Sequence, residues 1–284
     1  METCSFPNLG LSTEKYIGPG EVALITAEGV EPKAPPRESL QICGFLWVYY
    51  GYPASSYEGV NVEWVRNRCG AFLARRNPIE LDFVAGIPDS GIGHGLGYAS
   101  EAGLPFKRPF VKYTPTWARS FMPQNQTVRD LVARMKLIPI RELIAGRKFL
   151  FCGDSIVRGT QLKDTIQRLY DAGALEVHMR PACPPLVYGC KFLNFSTSKS
   201  EMDLAARKAI RELEGDDVID FSDYSRPETE KYRAMEERIR GRLNLTTLKY
   251  QRLDDLVDAI GLPKERVCTY CWDGEGGAQK LIPF

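Results

Sequence analysis

The sequence is poor in histidine, has no excess of either charge and carries no long apolar run, and each absence closes off a class of function. Only two histidines, His94 and His178, occur in 284 residues. Neither a histidine-based catalytic triad nor a multi-histidine metal site is easily built from two, so both are expected to be structural. With 37 Lys+Arg against 36 Asp+Glu, the formal net charge is +1. The chain as a whole is therefore not drawn to nucleic acid or an anionic membrane, and any anion site must be local. No segment approaches the ~18 consecutive apolar residues that cross a bilayer. The start, Met1-Glu2-Thr3-Cys4, lacks the basic and apolar regions of a secretory signal. Internal repeats and low-complexity segments are also missing. The expectation is a cytoplasmic globular protein with neither nucleic acid nor membrane as partner.

A chain of this length, 44% hydrophobic and 26% charged, can bury a substantial core as one large or two small domains. Its eight cysteines do not suit a disulfide framework, which belongs to short exported domains. Only Cys268 and Cys271 are close in sequence. Their C-x-x-C spacing serves zinc, iron–sulfur centres and redox pairs alike, or is an incidental pair near the end of the chain.

Residues 1–38 read as a short strand segment punctuated by Gly18-Pro19-Gly20 and Pro35-Pro36. The aromatic run from Ile42 to Tyr50 has the composition of a buried strand, and a helix is expected near Val62 to Ala74. Strand and helix signals then alternate, the pattern of a parallel sheet covered by helices. Leu81–Ile87 reads as a strand, Gly93–Glu101 as a helix stopped by Gly103, and Lys148–Cys152 as a strand. A helix carrying Leu162, Ile166, Leu169 and Tyr170 ends at Gly173 and is followed by a strand at Glu176–Met179. Beyond residue 200, Met202, Ala206, Ile210 and Leu213 mark one helix face. Residues 214–242 read as a solvated charged helix or a partner-docking arm. Leu253, Leu256, Val257 and Ile260 form a last amphipathic set before Gly261.

The most informative segment is Asp154-Ser155-Ile156-Val157-Arg158-Gly159-Thr160, placed between a strand and a helix at the carboxyl edge of a parallel sheet, where open α/β sheets bind ligands. Consecutive amides, the Ser155 and Thr160 hydroxyls and the helix start can cradle a phosphate monoester. Asp154 is like-charged and cannot serve that phosphate, but it can accept hydrogen bonds from sugar hydroxyls or hold magnesium. A carboxylate beside a phosphate cradle suggests a sugar phosphate. The plainer alternative is a β–α turn capped by Asp and Ser.

Phe151 to Thr160 resembles the phosphoribosylpyrophosphate (PRPP) loop of type I phosphoribosyltransferases, specifically of the glutamine PRPP amidotransferase family. Gly86-Ile87-Pro88-Asp89-Ser90-Gly91 is similar to that family's pyrophosphate loop. Arg119-Ser120-Phe121-Met122-Pro123, with Gln126, Arg129 and Lys136, is similar to its flexible catalytic loop and the basic helix behind it. The resemblance implies an α/β type I phosphoribosyltransferase fold, with a mostly parallel central sheet flanked by helices. It divides the chain into a strand remnant at 1–38, a transferase core at 39–200 and a helical, charged extension at 201–284 that returns to the core through cysteines. Asp89, Ser90, Gly91 and Asp154 to Thr160 would bind PRPP, with Arg119, Lys136 and Asp154 catalytic and Asp154 the magnesium ligand. Cys43, Cys190, Cys268 and Cys271 match the positions that hold a 4Fe–4S cluster in cluster-bearing members; structural zinc is the chemical alternative. Cys4, Cys69, Cys152 and Cys183 are expected to be packed thiols. A homo-oligomer is implied as well.

The chain also departs from that family's pattern. It starts where the amino-terminal glutaminase domain would finish, so ammonia, another amine or a small-molecule acceptor, or a separate glutaminase, is expected to provide the nucleophile. The PRPP loop normally carries two adjacent acidic residues, and the first of these positions is Gly153 here. Pro115 and Trp117 stand in a flexible loop that is typically more basic. The expected activity is displacement of pyrophosphate from C1 of PRPP. The other reading is a non-catalytic PRPP- or nucleotide-binding subunit or regulator.

Overall fold

A computed structural model describes residues 2–112, 137–190 and 203–275. Near the amino terminus, β1 (Val22–Thr26) and β2 (Gly29–Ala34) form an antiparallel hairpin with largely exposed side chains. The aromatic run is not one strand: β3 is only Ile42–Cys43, and Leu46–Tyr50 wind into a helical turn. Tertiary contacts override β-propensity here. The buried Arg66 guanidinium donates to the carbonyls of Trp47, Tyr49 and Gly51 at 2.9–3.1 Å, gathering the orphan acceptors of that turn. The Trp47 indole donates to the Val60 carbonyl at 3.0 Å. A small hairpin of β4 (Ser56–Tyr57) and β5 (Val60–Asn61) leads into α1 (Val62–Arg76). The Asn61 side chain caps α1 by accepting from the Trp64 amide at 2.9 Å.

The central sheet begins with β6 (Phe83–Gly86), which is followed by α2 (Gly91–Ala102), a pair β7 (Phe110–Lys112) and β8 (Leu137–Pro139), and a short α3 (Arg141–Ile144). Next come β9 (Lys148–Gly153), α4 (Thr160–Asp171) and β10 (Glu176–Pro181). After these come α5 (Ala205–Glu214), α6 (Glu230–Leu243), β11 (Thr247–Leu248), α7 (Leu253–Ile260), β12 (Val267–Cys268) and α8 (Tyr270–Asp273). The sheet order is β11-β10-β9-β6, and all of its pairs are parallel.

Strand alternation divides the core between the two faces. Phe149 and Phe151 of β9 pack with Phe83, Val177 and Met179 and with residues of α4, α5 and α6; Leu150 and Cys152 point the other way, into a cluster with Leu73 of α1 and Tyr98 of α2. Each such side chain, fully buried, contributes about 1.5–3 kcal/mol. α1 and α2 approach closely enough that a Cβ on Gly70 or Gly97 would lie 2.0 Å from a backbone oxygen, of His94 and Asn67 respectively.

The charged stretch differs from the solvated helix expected of it. α6 buries Tyr232, Met235, Ile239 and Leu243 against the sheet, and with them Glu236, whose carboxylate pairs with Lys249, while its other charges lie on the outer side. Leu213, expected on the inner face of α5, is 37% exposed, whereas Ala206, Ala209 and Ile210 are buried; Met202 lies outside the described residues. Both histidines are buried. His94 donates from Nε2 to the Val48 carbonyl at 3.2 Å, and His178 bonds Thr247 Oγ1 and Glu176 Oε2. Cys69, Cys152 and Cys183 are buried and Cys4 is half-buried. Among the described residues, no helix is long and apolar enough to cross a membrane.

Candidate active site

Two loops meet at the carboxyl ends of the neighbouring parallel strands β6 and β9. The first, Ile87 to Ser90, leads into α2; the second, Asp154 to Gly159, leads into α4. The strand ends are pinned together by the Ile87 amide, which donates to the Cys152 carbonyl at 2.8 Å. Gly91 permits this approach, because a Cβ there would sit 2.5 Å from the Cys152 oxygen. The peptide between Pro88 and Asp89 is cis.

Asp154 joins the loops. Its Oδ2 accepts from the Ser90 hydroxyl at 2.6 Å and its Oδ1 from the Ser155 hydroxyl at 2.7 Å. Both oxygens are thus fixed by neutral donors, and each retains a further lone pair for a hydroxyl or a cation. Sequence reasoning assigned Ser90 to the ligand; its second role, orienting the carboxylate of the other loop, depends on strand pairing that no local pattern shows. Lys112, at the end of β7, makes an ion pair with Asp89 at 2.6 Å and adds a cation that sequence reasoning did not single out.

The seven residues after β9 divide their work. Ile156 is buried in the main core, anchoring the loop, and the Val157 carbonyl accepts from the Ala205 amide at 2.7 Å. Arg158 and Thr160 are exposed. Gly159 precedes α4 with φ +78°, a conformation costly for residues with a Cβ, and no side chain caps this helix. Its first-turn amides are therefore open to an anion, with the helix dipole behind them. Gly153 is buried at the end of β9; a Cβ there would meet Met179 Cε at 3.1 Å and Ile87 Cδ1 at 3.3 Å, both ends of flexible side chains. Arg119 and Lys136 lie outside the described residues.

A second constellation assembles from distant segments. β3 and β12 pair in parallel with Cys43 directly opposite Cys268. The Cys271 thiol, on α8, hydrogen-bonds to Cys190, and the Cys271 carbonyl accepts from the Val187 and Tyr188 amides. Phe45 and Trp272 pack over this region with ring centroids 4.9 Å apart. Burial pushes the Cys43 thiol up to about 11, with the charges of Cys268 and Cys190 adding to it, and raises Cys271 further for the same reasons. Cysteine sulfur is the donor type that zinc and iron–sulfur centres use. Among the described residues, no group of three or more His, Cys, Asp or Glu side chains is arranged to hold a metal ion.

No protein-family model matches the chain. Compared with curated proteins, it is 34% identical over 275 residues to the amidophosphoribosyltransferase of Mycobacterium tuberculosis, covering 96% of this chain and 48% of that protein. The amidophosphoribosyltransferase of Pyrococcus horikoshii is 38% identical over 197 residues, 69% of this chain and 43% of that protein. The chain is similar to about half of an amidophosphoribosyltransferase. Among solved structures, glutamine PRPP amidotransferase from Bacillus subtilis, complexed with ADP and GMP, aligns with a TM-score of 0.76 at 29% identity, over 96% of this chain and 55% of that one. A structure described as the allosteric regulatory enzyme of purine biosynthesis aligns with the same TM-score at 28% identity, covering 54% of that chain. The fold is that of the type I phosphoribosyltransferases, as the resemblance implied.

Proposed function

We propose that the protein is a PRPP-dependent phosphoribosyltransferase of the amidophosphoribosyltransferase kind, in which ammonia or another small amine displaces pyrophosphate from C1. The observation that carries this reading is the Ser90–Asp154–Ser155 linkage, which holds a pyrophosphate-type loop and a phosphate-type loop around one carboxylate. The amides of Ser155 to Thr160 bind the 5′-phosphate, and Asp154 accepts from the ribose hydroxyls. Asp89, Ser90 and Gly91 receive the departing pyrophosphate, assisted by Lys112 and by Arg119 and Lys136. Magnesium, held through Asp154, would neutralise charge on the pyrophosphate. Reactions of this kind develop positive charge at C1, so the protein contributes mainly by positioning its reactants and by preorganised electrostatics; no side-chain nucleophile is needed.

Cys43, Cys190, Cys268 and Cys271 would hold a 4Fe–4S cluster with a structural role, tying the end of the chain to β3. What supports a cluster over zinc is the match of these four positions to those of cluster-bearing members; the same four sulfurs are also a zinc donor set. The protein would act in the cytoplasm as a homo-oligomer, with ammonia free or supplied by a separate glutaminase.

Gly153, where the family has an acidic residue, favours a second reading in which PRPP is bound without turnover. Pyrophosphate release from PRPP and magnesium, with ammonium as acceptor and anaerobically prepared protein, separates the two. Ammonium-dependent release that falls in Asp154→Asn is the expected result. Binding without release selects the binding subunit, and failure to bind PRPP overturns both.

A further inference from the structure

Glu63, in the first turn of α1, lodges its carboxylate over Gly93, in the first turn of α2. Both carboxylate oxygens lie 2.7 Å from where a Cβ on Gly93 would stand, so a larger residue there would displace them. Glu63 is half-buried, and among the described residues its carboxylate takes part in no ion pair and accepts no hydrogen bond. Arg66 is the cation whose charge it feels, yet that guanidinium donates to the carbonyls of Trp47, Tyr49 and Gly51 instead.

This carboxylate stands beside the loops described above. Ser90 has helical backbone angles and precedes Gly93 by three residues, so the two share one face of α2 a turn apart. Ser90 orients Asp154, and Arg66 lies within electrostatic reach of both Asp154 and Glu63. Two carboxylates thus flank the start of α2 with different commitments: Asp154 is held by two hydroxyls and Glu63 by none. The dipoles at the starts of α1 and α2 favour an acidic side chain here, but an exposed one satisfies them as well, whereas a half-buried carboxylate without donors is short of hydrogen bonds.

We propose that Glu63 receives the acceptor amine of the phosphoribosyl transfer, accepting hydrogen bonds from the N–H groups of the attacking nitrogen. The assignment rests on the transferase reading above and gives the acceptor a residue that this reading leaves without one. As the bond from nitrogen to C1 forms, the electron pair of the bond between C1 and oxygen departs with pyrophosphate, and the nitrogen gains positive charge. A carboxylate touching that nitrogen interacts most strongly at this point, which lowers the barrier as well as binding the amine. The product nitrogen then sheds a proton to water.

The test compares the whole protein with Glu63→Gln and Glu63→Asp, reading pyrophosphate release at saturating PRPP and magnesium while ammonium chloride is varied at constant ionic strength. The expected result is a rise of about tenfold or more in KM for ammonium in Glu63→Gln, as loss of a charge-assisted contact requires. KM for PRPP stays at the parent value, and Glu63→Asp recovers part of the loss. Equal ammonium dependence in parent and Glu63→Gln overturns the assignment. A parallel rise in both KM values also overturns it, because Glu63 then supports the PRPP loops. A lower urea midpoint with unaltered ammonium dependence overturns it in favour of a charge that serves the helix dipoles. If the parent releases no pyrophosphate, the transferase reading has failed, and saturation-transfer NMR with ethylammonium in the presence of ribose 5-phosphate decides Glu63 separately. A signal in the parent that falls in Glu63→Gln upholds the amine site; no signal in the parent, or equal signals in both, overturns it.

Discussion

The phosphate loop and the cysteine patch make opposite demands on the chain. The loop takes seven consecutive residues between β9 and α4, and its chemistry lies largely in backbone amides and one carboxylate. The patch takes Cys43, Cys190, Cys268 and Cys271 from four separated segments and has no geometry until β3 and β12 pair. A site made from contiguous backbone can tolerate changes that leave its turn intact, and its loss affects binding more than folding. A site made from distant side chains belongs to the fold, and its loss is felt first in stability.

The largest expected effect follows from that contrast. Cys271→Ser in anaerobically prepared protein should lose about 4 kcal/mol of stability, the scale on which loss of a structural metal stands out among point mutations. PRPP affinity per folded molecule should be retained, as denaturant midpoints and a binding isotherm would show. Comparable melting of variant and parent would mean that the patch does not tie the fold. Asp154→Asn should do the reverse. Loss of charge-assisted hydrogen bonds weakens PRPP binding by about 2 kcal/mol, near thirtyfold, with the denaturant midpoint unchanged; a fall in stability without a fall in affinity would make Asp154 a packing residue.

His94 connects the two regions, lying on the helix that follows the pyrophosphate-type loop and donating to Val48, which shares an apolar cluster with Cys190 and Cys271. Burial holds its imidazole down to about 3, against an ordinary 6.5. The neutral form is therefore favoured in the folded state, and this contribution is fully present above about 6.5 and is lost as the pH falls toward 3. The unfolding free energy from urea titrations should drop by about 2 kcal/mol between pH 6.5 and 5, and His94→Gln should flatten that slope. An equally steep slope in the variant would move the effect to other groups. The smallest effect is expected of Gly159→Ala, about 1 kcal/mol from its left-handed backbone, seen as reduced phosphate affinity with little change in melting. An undiminished affinity would show that the turn adapts.

Much of the alternation around the loop was legible in sequence. The strands at Phe83, Lys148 and Glu176, the helices between them and the carboxyl-edge position of Asp154 all follow from periodicity and turn residues that act locally. The aromatic run at Ile42–Tyr50 was misread because the three carbonyls that Arg66 collects define its helical turn, and Arg66 lies in the next helix. The charged stretch was misread for a related reason: Tyr232, Met235, Ile239 and Leu243 form an apolar stripe easily lost among many charges, yet they complete the face of the sheet. Ser90 as an orienting donor and Lys112 as partner of Asp89 carried no local signal, because each depends on which strands are neighbours.

By itself the sequence determined the elements whose causes lie within a few residues: amphipathic periods, the turn at Gly159, the helix after it and the place of Asp154 between strand and helix. Tertiary structure alone decided what those elements meet. It set β6 beside β9, so that Ser90 reaches Asp154, brought Cys43 opposite Cys268, and laid Glu63 over Gly93. The physical reason is that turns and helices are fixed by short-range backbone geometry, whereas the pairing of distant segments is selected by burial of the whole core, to which no single stretch of sequence is sufficient.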